Sequence, residues 1–148
     1  MKKLAIIFGD NDFINTFQGV LNTLLFNYIE QGLHPLILIP HGSTTHPNTV
    51  NSRTGISMPA IEIVDSKSIF QALEEKTDTD VILVDEAQFL SRDQVWALSS
   101  VTHDYCRPVL CYGLRTDFCG NLFEGSAALL AIAEELKDVH SLGIQIAI

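Results

Sequence analysis

The sequence predicts an α/β fold: a mostly parallel sheet flanked by helices, in one domain spanning residues 1–148. Three observations carry this expectation. Short apolar runs lack the alternation of a half-exposed strand, so they read as strands covered on both faces. Helix-period segments alternate with them, the order that right-handed crossovers between parallel strands require. A chain of 148 residues with 47% hydrophobic and 18% charged content is enough for one real core and too short for two comfortable ones.

Lys3–Phe8 is the first such run. A helix is expected from about Thr16 to Gln31, where Phe17, Val20, Leu21, Leu24, Leu25, Tyr28 and Ile29 recur at threes and fours as one core-facing stripe. Gly32 suits the left-handed position beyond its C-terminus. Pro35–Ile39 is a second strand, and residues 40–58, rich in Pro, His, Gly, Ser, Thr and Asn, read as a surface excursion. Pro59–Val64 is a short strand, and Ser68-x-x-Gln71 has the capping-box pattern of a helix ending near Lys76. Val81–Val84 is the central strand, and Ser91-x-x-Gln94 caps a helix to about Val101. Pro108–Tyr112 is another buried strand, Ser126–Leu136 a final helix, and the alternating Leu142–Ile148 a closing edge.

Composition excludes several functions. The net charge is −9, from nine basic and eighteen acidic residues, without a Lys/Arg cluster. Nucleic-acid binding depends on neutralising phosphates, and anionic membranes attract the same basic groups, so neither is an expected partner. The apolar run Leu4–Phe8 is too short for a secretory h-region or a membrane span. Cys106, Cys111 and Cys119 show no C-x-x-C spacing and read as reduced thiols of a cytoplasmic protein.

Ligands of an open parallel sheet collect beyond the carboxyl ends of its strands. Three segments converge there: Gly9–Thr16, Asp85–Phe89 and Gly113–Phe123. An Asp after four apolar strand residues can hold Mg²⁺, and a neighbouring Glu can accept a proton from a substrate hydroxyl. Taken alone, Asp85-Glu86 is equally a strand end with a helix-initiating acid. A phosphate cradle reads G-x-x-x-x-G-K-[ST], with backbone N–H groups and a lysine on the phosphates. Gly9-Asp10-Asn11-Asp12-Phe13-Ile14-Asn15-Thr16 lacks the second glycine and the lysine, and its two aspartates repel a polyphosphate. His34, His41 and His46 fit no recognised metal spacing, and Cys119 near Arg115 reads more simply as an ordinary free thiol.

The ordered set Asp85-Glu86-Ala-Gln88-Phe89-Leu90-Ser91-Arg92, Pro108-Val-Leu-Cys-Tyr-Gly-Leu-Arg-Thr-Asp-Phe118, Gly120-x-Leu-Phe123-x-Gly125-Ser126 and Leu129-Leu130-Ala131 closely resembles the bacterial type II thymidine kinases. The likeness is tight from about Asp80 to Leu136 and looser at Ser52-Arg53-x-Gly55-x-Ser57-x-Pro59-Ala60. It implies a P-loop-NTPase-like core, with Asp85 as the magnesium aspartate and Glu86 as the base facing the sugar 5′-hydroxyl. By the same resemblance Phe89, Leu114, Phe118 and Phe123 surround the nucleoside, unless they simply pack the core. Arg115 orders its loop. Gly9, Asn15 and Thr16 fall on the phosphate loop, where the family's lysine aligns with Asn15 or Phe17.

The departures decide the functional expectation. The family's Asp-x-Arg loop falls on Gly42-Ser43-Thr44, and its Asp-Phe-Arg-Gly reads Asp117-Phe118-Cys119-Gly120. Gly143 and Gln145 stand where the first cysteine pair of its zinc ribbon would begin, so no zinc site is expected. The expectation is a thymidine-kinase-like protein that has lost ATP binding and kinase activity and serves as a non-catalytic binding or scaffold protein, without cofactor. The alternative is a residual deoxynucleoside kinase or nucleotide-binding protein using Mg-ATP. Expected partners are a second copy of the chain and an unidentified protein. Self-association is expected because the first helix carries one charge, Glu30, while Phe26 lies off its core stripe.

Overall fold

The computed structural model describes residues 3–9, 26–43, 49–51, 57–140 and 143–146. In chain order the elements are β1 (Leu4–Gly9), the end of a helix at residues 26–30 (α1), β2 (Pro35–Pro40), β3 (Thr49–Asn51), β4 (Ser57–Pro59), β5 (Ile61–Ile63) and α2 (Ser66–Glu75). There follow β6 (Val81–Val84), a 3₁₀ turn at Ala87–Phe89, α3 (Arg92–Asp104), β7 (Val109–Leu114), α4 (Glu124–Ile132), β8 (Glu135–His140) and β9 (Gly143–Ile146). The main sheet runs β5-β2-β6-β7-β1-β8-β9, parallel from β5 to β8, with β9 antiparallel at the edge.

The apolar runs bury both faces, as their lack of alternation requires. Leu4, Ile6, Phe8, Leu36, Leu38, Ile82 and Val84 point to one side, against Ile69 and Leu73 of α2, Val95, Leu98 and Val101 of α3, and Leu129 of α4. Ile7, Ile37, Ile39, Leu83 and Tyr112 point to the other, where Tyr28 of α1 packs. Each such aliphatic side chain contributes about 1.5–3 kcal/mol of burial. α1 ends as its glycine suggests: Gly32 has φ +78°, its N–H reaches Ile29 O and that of Leu33 reaches Tyr28 O, which satisfies the last carbonyls. Among the described residues no helix is long and apolar enough to cross a membrane.

Several expectations need correction. α2 begins one turn before Ser68: Asp65 is the N-cap, accepting from Ser68 N–H at 2.8 Å, while Ser68 Oγ accepts from Asp65 N–H. An acid at the N-cap with a serine at the third helical position closes the same reciprocal box. Pro59–Val64 is split, because Ser57–Pro59 pairs antiparallel with Thr49–Asn51 inside the presumed excursion and only Ile61–Ile63 joins the main sheet. The last helix stops at Ile132, and Leu136 belongs to β8. There the free edge of β1 captures the chain, beginning with Glu134 N–H on Leu4 O. Ile29 leaves the core stripe and is 46% exposed, lining a cavity together with Leu33, Pro35 and Ile61. The expected span from Thr16 to Leu25 lies outside the described residues.

Gly125, in the first turn of α4, has no room for a side chain: an added Cβ would stand 2.4 Å from Ala87 O and 2.9 Å from Leu90 O. In an ordinary helix, Gly→Ala stabilises by about 1 kcal/mol. Here Gly125→Ala is expected to reverse that sign and destabilise by about 1–3 kcal/mol, the cost of overpacking against backbone. Urea unfolding midpoints measure it.

Candidate functional site

β6 lies inside the sheet between β2 and β7, one strand from its centre, with all four of its residues buried. Asp85 leaves it still tied to β2 through Asp85 N–H and Leu38 O at 3.0 Å. The chain then turns sharply at Glu86, whose φ of 55° and ψ of 39° are left-handed values. A non-glycine residue held there costs roughly 1 kcal/mol or more. Glu86 N–H bonds Asp85 Oδ1 at 2.9 Å, so the two acids share one local contact.

Gln88 is buried behind this turn. Its Nε2 donates to Glu86 Oε2 at 2.7 Å, and its Oε1 accepts from Leu114 N–H, at the end of β7, at 3.1 Å. Gly113 makes room, because a Cβ there would meet Gln88 Oε1 at 2.6 Å and Gln88 N at 2.9 Å. Ser126 Oγ of α4 donates to Leu114 O, so both polar groups of Leu114's backbone are taken by side chains.

Beyond Leu114 the loop folds on Asp117, whose Oδ1 accepts from Cys119 N–H at 2.9 Å and Asn121 N–H at 3.0 Å. Gly120 closes the turn with φ +83°. The Arg115 guanidinium lies over the Phe8 ring, 4.9 Å from its centroid, tying the loop to β1. Gly9 ends β1 directly beside Leu114. β7 separates β1 from β6, so the strand ends carrying Gly9 and Asp85 stand about two strand spacings apart, ~10 Å.

Not every residue expected at the site is gathered there. Phe89 and Phe123 form an edge-to-face pair with centroids 5.6 Å apart, and Phe89 stays half exposed. Leu114 is partly buried above Gln88. Phe118 is 93% exposed at the loop tip and pairs with no ring among the described residues. Asn15 and Thr16 lie outside the described residues, as does His46. His34 pairs with Asp80 at 3.1 Å and His41 with Glu62 at 2.7 Å, at opposite ends of β2 and about 20 Å apart, so they share no site. Among the described residues no three His, Cys, Asp or Glu side chains come together as a metal-binding group. The roles of Gln88, Gly113 and Ser126 had not been read from the sequence. The one available signal was a Gln two residues after an acid in an otherwise apolar turn.

Burial dominates the electrostatics. It pushes the Asp85 carboxyl up to about 7, Glu86's negative charge adds to the rise, and the Glu86 N–H bond partly offsets it. Burial also raises Glu86, opposed by the bond from Gln88. A carboxyl raised in the fold stays protonated while its unfolded counterpart ionises. The Asp85 contribution to stability is therefore fully present below about pH 4, is lost as pH rises toward about 7, and levels off above it. Asp85→Asn is expected to flatten that slope and to stabilise the protein at pH 8, by on the order of a few kcal/mol. Urea denaturation at several pH values checks both.

Residues 20–145 match the family model described as thymidine kinase. The thymidine kinase of Zymomonas mobilis is 43% identical over 121 residues, covering 79% of this chain and 63% of that protein. That of Jannaschia sp. is 40% identical over 136 residues, covering 86% and 70%. One from Xanthomonas oryzae pv. oryzae is 44% identical over 132 residues, covering 84% and 63%. The chain thus spans somewhat under two thirds of the length of some relatives and slightly more of others. Among solved structures, the genome packaging NTPase B204 of Sulfolobus turreted icosahedral virus 2, in complex with ATP-gammaS, superposes with a TM-score of 0.58 at 11% identity. That match covers 95% of this chain and 75% of the other, and supports the P-loop-like α/β fold alone. With the Asp85–Glu86 turn, the β7 loop and these relatives in agreement, the chain belongs to the thymidine kinase family.

Proposed function

We propose that this chain is a non-catalytic member of its family, one that keeps the nucleoside half of the site and has lost ATP binding and phosphoryl transfer. The observation that carries this reading is the contrast between the two halves. Asp85, Glu86, Gln88 and Leu114 form a continuous network beside the Phe89–Phe123 pair. The segment Gly9–Thr16, by contrast, offers no cation and carries Asp10 and Asp12.

The retained half suits a nucleoside. A flat base can stack on the half-exposed Phe89 ring, and a sugar hydroxyl can donate to Glu86 Oε1, the oxygen that Gln88 leaves open. The family implies Mg²⁺ here. Mg²⁺ uses one or two carboxylates, with phosphate oxygens and waters completing its octahedron. Asp85 supplies one buried carboxylate, which fits an ion arriving on a nucleotide; such an ion would neutralise charge on the transferring phosphoryl group. Removing a single preorganised charge stabiliser costs on the order of 10²–10³ in rate, so losing both the loop lysine and the loop arginine leaves little turnover even without additivity.

A residual thymidine kinase is the second reading, favoured by the retained Asp85–Glu86 pair and by relatives named thymidine kinases. Thermal melting separates the two. Thymidine at a hundredfold over its dissociation constant should stabilise by about 2.7 kcal/mol, an effect lost in Phe89→Ala. Millimolar Mg-ATP should add nothing beyond Mg²⁺ alone. A clear additional shift with Mg-ATP would overturn the proposal in favour of the kinase.

We also propose self-association through α1, supported by Phe26, which is 52% exposed at its described end. Light scattering across a dilution series should give an oligomer whose mass falls on Phe26→Asp. A 16.4 kDa monomer at every concentration would contradict it.

A further inference from the structure

Among the described residues, Gln88 is the side chain that hydrogen-bonds the Glu86 carboxylate, and the chemistry of that contact fixes its direction. Leu114 N–H can only donate, so the Gln88 atom facing it at 3.1 Å is the carbonyl oxygen. The amide nitrogen is then left to face Glu86 Oε2, at 2.7 Å. An amide free to flip would offer Glu86 either a donor or an acceptor; here it can offer only a donor. Three features hold the arrangement. Gln88 is 3% exposed, Gly113 leaves no Cβ against its oxygen, and Ser126 Oγ clamps Leu114 O from the other side.

We propose that Gln88 is a positioning residue: its amide orients the Glu86 carboxylate so that Oε1 alone faces an incoming hydroxyl, and couples that carboxylate to the loop carrying Arg115 and Phe118. The coupling is mechanical. Leu114 is the last residue of β7 and the first anchor of that loop, so displacement of the loop pulls on the amide that holds Glu86. Gln88 touches no substrate and acts through Glu86. The left-handed turn at Glu86 makes such a brace useful, because a residue held in a sparsely populated conformation relaxes unless its surroundings over-determine it. The idea rests on the acceptor-site reading only for the hydroxyl. The brace itself exists without ligand and is tested without one.

The test is NMR of the unliganded protein. All spectra are taken at one fixed pH. An amide proton bonded to a carboxylate resonates downfield, so one Gln88 side-chain amide proton should stand well downfield of the free-amide range and move back toward it in Glu86→Gln, which exchanges the charged acceptor for a neutral one. Gln88→Met removes both bonds and should speed Leu114 amide exchange about tenfold. A structural filler would give a Gln88 amide indifferent to Glu86→Gln. Should Gln88→Met fail to fold, the unmodified protein and Glu86→Gln still decide. A Gln88 amide in the free range, one unmoved by Glu86→Gln, or unchanged Leu114 exchange in a folded Gln88→Met would overturn the proposal. A failure of thymidine to bind, with the brace intact, would count against the acceptor-site reading alone.

Discussion

The turn Ala87–Phe89 is wedged between the end of β7 and the start of α4 so closely that neither Gly113 nor Gly125 can carry a Cβ. This three-way backbone contact fixes most of what surrounds it. It brings Gln88 within reach of both Glu86 and Leu114, seats Leu90 in the core beneath α3 and α4, and starts α4 where Ser126 can bond Leu114 O. The loop after β7 is thereby tied to the acid pair after β6. Neither segment can shift without breaking buried hydrogen bonds, each of which is costly to leave unmade.

The same contact holds a locally unfavourable arrangement. Two acids stand adjacent at the end of a buried strand, one in a left-handed conformation, and burial raises the proton affinity of both. A core evolving for stability alone would not keep them. Features of this kind persist where the surroundings over-determine them, and they cluster at sites built for binding or chemistry. The acid pair therefore supports the proposed ligand role.

The parallel sheet was legible because Leu4–Phe8, Leu36–Ile39 and Val81–Val84 are unbroken apolar runs, and only burial on both faces explains them. What escaped local reading depended on partners distant in sequence. Leu136 follows a helix-forming stretch, yet the unpaired edge of β1 draws it into β8. Ser57 and Met58 look like loop until Thr49–Asn51 pairs with Ser57–Pro59. At the candidate site, Asp85 and Glu86 stood out as acids after an apolar strand, and the resemblance supplied Phe89 and Phe123. Gln88 did not stand out, because its partner Leu114 lies 26 residues away and contributes only a backbone N–H. Phe118 was placed at the nucleoside by resemblance, while its loop instead folds on Asp117 and leaves that ring at the tip.

The central claim is that the nucleoside half of a family site has outlived its phosphate half. Turnover tests it most directly. The unmodified chain, at micromolar concentration with thymidine and Mg-[γ-³²P]ATP, should form no labelled thymidine monophosphate above the level given by Glu86→Gln. Repeated turnover that disappears in Glu86→Gln would contradict the claim, and would mean that phosphate is held by groups outside the Gly9–Thr16 pattern.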